Sequence, residues 1–214
     1  MARSVPDNKF SLLVLEMFFV LALIEFPIWF LSNGHFFHFI AYLAGLLFLI
    51  SFFVWSKNLA TLEDLGFRPR LWWPGLSSAL WVLGIMFFSL MLGVIFNPRP
   101  LDLVRFFKDI GAYYIWALIQ QALLLGYFAW RFEFLRMKTK TRVICVGLLF
   151  AVLHAPNPLL MVITGVGGAF SAIYFYRFRN LYVLSLAHSI IGAAVLYLPD
   201  TWTHHLNIGP RFFR

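Results

Sequence analysis

Polar positions in this chain come in bursts, and the apolar stretches between them are long enough to cross a bilayer. A membrane helix needs about 20 such residues. Seven stretches are candidates: 10–31, 36–55, 76–96, 111–130, 143–156, 158–176 and 181–198. The fifth is short, and Pro156 and Pro158 part it from the sixth, so HAPNP reads as a tight turn. None shows the alternation of apolar and polar residues that marks the strands of a membrane barrel. Backbone polar groups in lipid must be satisfied within each segment. The pattern predicts an all-α polytopic membrane protein, a bundle of about seven transmembrane helices forming one domain over 1–214.

Two connecting segments add one or two interfacial helices to this expectation. Leu59–Trp73, LATLEDLGFRPRLWW, mixes charge with Leu, Phe and Trp. Leu101–Ile110, LDLVRFFKDI, has apolar residues at 101, 103, 104, 106, 107 and 110, a spacing that suits a helix lying in the interface. The alternative is a plain connector with interfacial aromatics. The first apolar run follows the weakly basic MARSVPDNK, is too long for a signal-peptide core and lacks a small-residue cleavage site. It reads as an uncleaved first span.

Composition agrees: 62% of residues are hydrophobic and 12% charged, about half the charged share of a soluble domain. The net charge of +8 does not point to nucleic acid, because the basic residues lie between spans, where orientation signals belong. With a cytoplasmic N-terminus, twelve of the 17 Lys and Arg fall inside (3, 9, 57, 68, 70, 131, 136, 138, 140, 142, 177, 179) and five outside (99, 105, 108, 211, 214). Compactness and short loops favour a bacterial inner membrane. The single cysteine, Cys145, lies in an apolar run and reads as a small packing residue.

Polar groups at membrane depth are candidates for function. They are Glu16, Glu25, Gln120, Gln121, His154 and His188, with hydroxyls at Ser171, Ser185 and Ser189. Glu16 and Glu25 are nine residues apart, on nearly opposite faces of one helix. They read as snorkelling or structurally bonded groups rather than a paired acid site. Gln120 and Gln121 sit mid-span, where an amide needs partners on other helices. Their amides cannot act as general base, but an NH2 can donate to a developing oxyanion. His154 on the fifth span and His188 on the seventh lie at similar depths and can meet the middle of the Gln-bearing helix. Two histidines without a third ligand leave a metal site incomplete, and no metal or cofactor is expected. His204 and His205 in the tail carry little weight. Gly165, Gly167 and Gly168 suit close helix packing. TGVGG follows no strand and has no Lys-Ser/Thr, so it is not a phosphate loop.

The order of these groups resembles the CAAX prenyl protease and bacteriocin-processing family of glutamate-type intramembrane proteases. That family carries EExxxR, then FxxxH, then HxxxN. Here the matching stretches are Gln120–Gln121, Phe150-Ala-Val-Leu-His154 and His188 after RFRNLYVLSLAH, within residues 60–196. The resemblance implies that the first Glu position activates water, the FxxxH histidine assists, and the HxxxN residues stabilise the oxyanion. Carried over, those positions are Gln120 and Gln121, Leu125 for the Arg, Phe150 and His154, His188, and Gly192 for the Asn. The second Glu and the Arg would face each other four residues apart. Losing one alone would strand a buried charge at about 3–5 kcal/mol, yet both positions are neutral here, as in a coordinated redesign. Two readings stay open. In one, the chain is a membrane peptidase with His154 or His188 as base and Gln120 as polariser, acting on a membrane-embedded or lipidated peptide or protein. In the other, it is a non-catalytic binder or scaffold. A transporter would need a path lined with charge across the midplane, and there the sequence offers amides and histidines.

Overall fold

The computed structural model describes residues 7–30, 61–67, 84, 88, 91, 95, 102–135 and 137–213, and the regular structure among them is all helical. Helix α1 is Asp7–Phe30, α2 Leu103–Phe132, α3 Thr139–Val152, α4 Pro158–Phe178 and α5 Leu181–Val195. Most of α1, all of α2 and all of α4 are long and apolar enough to cross a membrane, and α5 is a shorter apolar helix. The expected span 36–55 lies outside the described residues. Of 76–96 they include Gly84, Phe88, Met91 and Ile95, each helical.

α1 buries Leu13, Met17, Val20, Ile24 and Pro27, a stripe at alternating steps of four and three. It packs on Leu123, Tyr127 and Phe128 of α2. Its other faces expose Leu12, Leu15, Phe18 and Phe19, as a lipid-facing helix can, because its solvent is itself apolar. Glu16 accepts hydrogen bonds from Tyr127 Oη at 2.8 Å and Arg131 Nη2 at 2.6 Å. Glu25 accepts from Trp29 Nε1 at 2.9 Å. Both carboxylates are structural, as their placement on opposite faces suggested.

α2 corrects the expectation of an interfacial helix at 101–110. Residues 103–110 are its first two turns, continuous with the membrane segment to Phe132. Asp102 caps the start by accepting from Arg105 N at 3.0 Å. Phe106 and Ile110 are buried against Ile190, Ala193 and Ala194 of α5. An interfacial helix and a helix packed along one side carry the same amphipathic pattern, so spacing alone does not separate them. Past Gln121 the helix widens to π geometry over Ala122–Ala129 and returns to α at Trp130. π segments frequently sit at functional sites.

α3 and α4 approach closely through glycine. A Cβ on Gly147 would lie 2.7 Å from the Gly165 carbonyl oxygen, and one on Gly168 would lie 3.1 Å from Phe150 Cβ. Gly167 meets nothing within 4 Å, so two of the three glycines noted in the sequence serve the contact. Gly147→Ala is expected to force the helices apart and cost about 1–3 kcal/mol, read as a lower midpoint in detergent unfolding of the purified protein.

The connections sort to two ends. At one end, Arg179 Nη1 donates to the Asp64 carbonyl at 2.7 Å, the Arg179 guanidinium pairs with Glu133, and Leu181 N donates to Gly66 O at 3.0 Å. Gly66 has φ +94°, and a Cβ there would strike Phe175 and Leu181. At the other end, buried Asn157 caps α4 through Leu160 N at 3.2 Å. Its Nδ2 donates to Thr203 O at 2.7 Å and Asn207 O at 3.2 Å. Gly209 N bonds Ala155 O at 2.8 Å, and Gly209 lies against Ile28. HAPNP is thus the anchor for the C-terminal segment.

Candidate active site: a carboxamide and two imidazoles around Phe150

Of the two adjacent glutamines, Gln121 reaches an imidazole: its Nε2 lies 2.8 Å from His188 Nδ1. Gln121 is 1% exposed. Neighbouring residues on a helix point about 100° apart, so Gln120 faces elsewhere. Its Oε1 accepts from Tyr113 Oη at 3.5 Å, a long contact.

Hydrogen-bond partners set the proton positions. His154 Nδ1 lies 2.9 Å from the Phe150 carbonyl oxygen. A carbonyl only accepts, so Nδ1 carries the hydrogen, and the neutral ring keeps its lone pair on Nε2. In the Gln121 pair the NH2 donates, so His188 Nδ1 accepts and Nε2 carries the hydrogen. The two imidazoles therefore offer opposite chemistry: a base at His154 and a donor at His188. The Phe150 ring packs on both, 4.9 Å from His154 and 5.4 Å from His188 by ring centres. Thr164 Oγ1 also donates to the Phe150 carbonyl, at 3.2 Å.

A cavity of about 560 Å³ opens between α4 and α5, and Gln121, Phe150, Thr164 and His188 form part of its wall. His154 and Gln120 are not on that wall. A single pocket shared by His154, His188 and Gln120 is therefore not what the structure places. It brings Gln121 to His188, packs His154 on Phe150, and leaves Gln120 with Tyr113. Gln121 Oε1 is buried with no hydrogen-bond partner, an acceptor left open beside the cavity.

The remaining positions explain the neutral pattern. Leu125 is fully buried in an apolar cluster with Leu124, Phe150 and Phe175, where the charge of an Arg would be desolvated. Gly192 is required by Tyr113: a Cβ there would lie 2.4 Å from the tyrosine ring. That ring packs 5.8 Å from His188. An Asn at 192 would force the Tyr113 ring to shift. Gly192→Ala is expected to destabilise the fold by about 1–3 kcal/mol, with recovery in Gly192→Ala/Tyr113→Ala, followed by thermal unfolding in micelles.

Sequence reasoning missed Tyr113 and Thr164, whose sole signals were an aromatic and a hydroxyl within spans. Ser185 and Ser189 turn back to the Leu181 and Leu186 carbonyls at 2.7 and 2.9 Å and are not site groups. Ser171 lines the cavity. Cys145 is a half-buried free thiol. His204 and His205 are exposed, one stacked on Phe212 and the other 3.7 Å from Asp200. Among the described residues no cluster of three His, Cys, Asp or Glu is placed to hold a metal ion. Comparison with protein-family models, curated proteins and solved structures found no match to this chain.

Proposed function

We propose that the chain is an intramembrane peptidase that hydrolyses a membrane-associated peptide with histidine assistance, as its resemblance to CAAX prenyl proteases implies. The observation that carries this reading is two imidazoles packed on one Phe150 ring, one with its Nδ1 at the Phe150 carbonyl and the other with its Nδ1 at the Gln121 amide. In the reaction His154 Nε2 takes a proton from water as the water oxygen bonds to the scissile carbonyl carbon. The carbonyl oxygen becomes an oxyanion that accepts from His188 Nε2–H, which Gln121 holds in that tautomer. The C–N bond then breaks, and His154 returns its proton to the leaving nitrogen. The substrate N–H has an acceptor in Gln121 Oε1. The orientation that goes with this reading is N-terminus in the cytoplasm of a bacterial inner membrane, from the distribution of Lys and Arg.

One observation favours a second reading, a pseudoprotease that binds the peptide without cutting it. His154 stands off the cavity wall, and the Glu positions of the family motif hold amides. The test is a comparison of membrane-protein termini in cells with and without the chain. New termini inside membrane-spanning segments, seen with the chain alone, are expected of the peptidase. Partners cross-linked at the cavity with no change in termini would leave the binder.

A further inference from the structure

The cavity wall continues well beyond the histidine pair, as a cleft bounded chiefly by α4 and α5, with Phe88 also on its wall. These helices are consecutive, yet they touch little beyond their connecting turn: α4 packs on α3, and α5 on α2. Val162, Val166, Phe170 and Ile173 of α4 line the cleft and are each more than half exposed. From Val162 to Arg177 the α4 wall extends about 22 Å. That is more than one leaflet of a hydrocarbon core about 30 Å thick.

Arg177 is the charged residue on this wall, in the last turn of α4. Arg131 and Arg179 are each paired with a carboxylate, Glu16 and Glu133. Arg177 makes no ion pair among the described residues; its guanidinium stands 5.1 Å over the Phe178 ring. An unpaired cation at the end of a leaflet-length apolar cleft complements one ligand chemistry, an anionic head on a hydrocarbon chain.

We propose that the cleft between α4 and α5 holds one acyl chain of an anionic phospholipid whose phosphate rests on Arg177. The chain runs along α4 past the Gln121–His188 pair, so lipid and peptide compete for the same space. The binding itself stands whether or not the pair hydrolyses anything.

The wild-type chain, Arg177→Gln, Arg177→Lys and Gly167→Leu are each reconstituted in phosphatidylcholine with a minority of phosphatidylglycerol. They are then extracted in mild detergent and weighed intact by native mass spectrometry. Gly167 lines the cleft and a Cβ there meets nothing within 4 Å, so its leucine fills the cleft without a clash. Wild type and Arg177→Lys are expected to keep one phosphatidylglycerol. Arg177→Gln is expected to keep about fivefold less, the worth of one basic residue at an anionic lipid surface. Gly167→Leu is expected to keep neither lipid. Equal retention of phosphatidylcholine and phosphatidylglycerol by wild type, or the same retention by all four chains, overturns the proposal.

Discussion

His154→Ala is expected to slow peptide cleavage by about 10²–10⁴-fold, the usual worth of a positioned general base. The ring is held by Nδ1–H to the Phe150 carbonyl at 2.9 Å and by edge contact with the Phe150 ring. Removing it leaves that carbonyl with a second donor, Thr164 Oγ1 at 3.2 Å. No acceptor is orphaned, so the loss of rate is expected without a matching loss of stability. Single-turnover cleavage in proteoliposomes, on a substrate found from cellular termini, measures the effect. A rate equal to wild type would remove His154 from the mechanism. If wild type itself does not cut, His154→Ala should cross-link the same peptide as wild type, and the binder stands.

Glu16→Ala is expected to lower stability by about 3 kcal/mol. Arg131 is 3% exposed and its guanidinium pairs with Glu16 at 2.6 Å. The arginine also stacks over Tyr127 and Trp130, at 5.3 and 5.0 Å from their ring centres. These contacts hold the cation in place but do not neutralise it. Without Glu16 the charge stays buried, and Tyr127 Oη loses its acceptor as well. The Glu16 side chain is 29% exposed, so water relieves part of the cost, which places the value at the low end of the range for broken buried pairs. Glu16→Leu/Arg131→Met is expected to restore most of the loss, because removing both charges leaves nothing uncompensated. Denaturant titration of the three purified chains in micelles separates these outcomes. A double mutant no more stable than Glu16→Ala would show that the uncompensated charge is not the source of the loss.

Much of the helical scaffold can be seen in the apolar stretches, because lipid demands long uninterrupted runs. The HAPNP turn was equally visible, since Asn157 and Pro158 favour a helix start. The partnership of a glutamine with a histidine was foreseeable from polar groups at similar depth. Which glutamine makes it was not: Gln120 and Gln121 differ by one step of helical rotation, and that rotation is fixed by packing on α1 and α5. Arg131 with Glu16 joins residues 115 positions apart, a pairing that no local pattern encodes. Gly192 illustrates the same limit. Its absent side chain looks like loss of a motif residue in the sequence, and in three dimensions it is room for the Tyr113 ring.

The two tight helix pairs are not independent of each other. α3 with α4 and α2 with α5 each hold together along their lengths, and Leu124, Leu125, Phe150, Phe175 and Leu181 join the pairs in one buried cluster. At the turn between α4 and α5, Arg179 takes left-handed backbone, φ 49°, and is fastened to Asp64 and Glu133. One guanidinium thus ties the turn between the pairs both to the 61–67 segment and to the residue that follows α2.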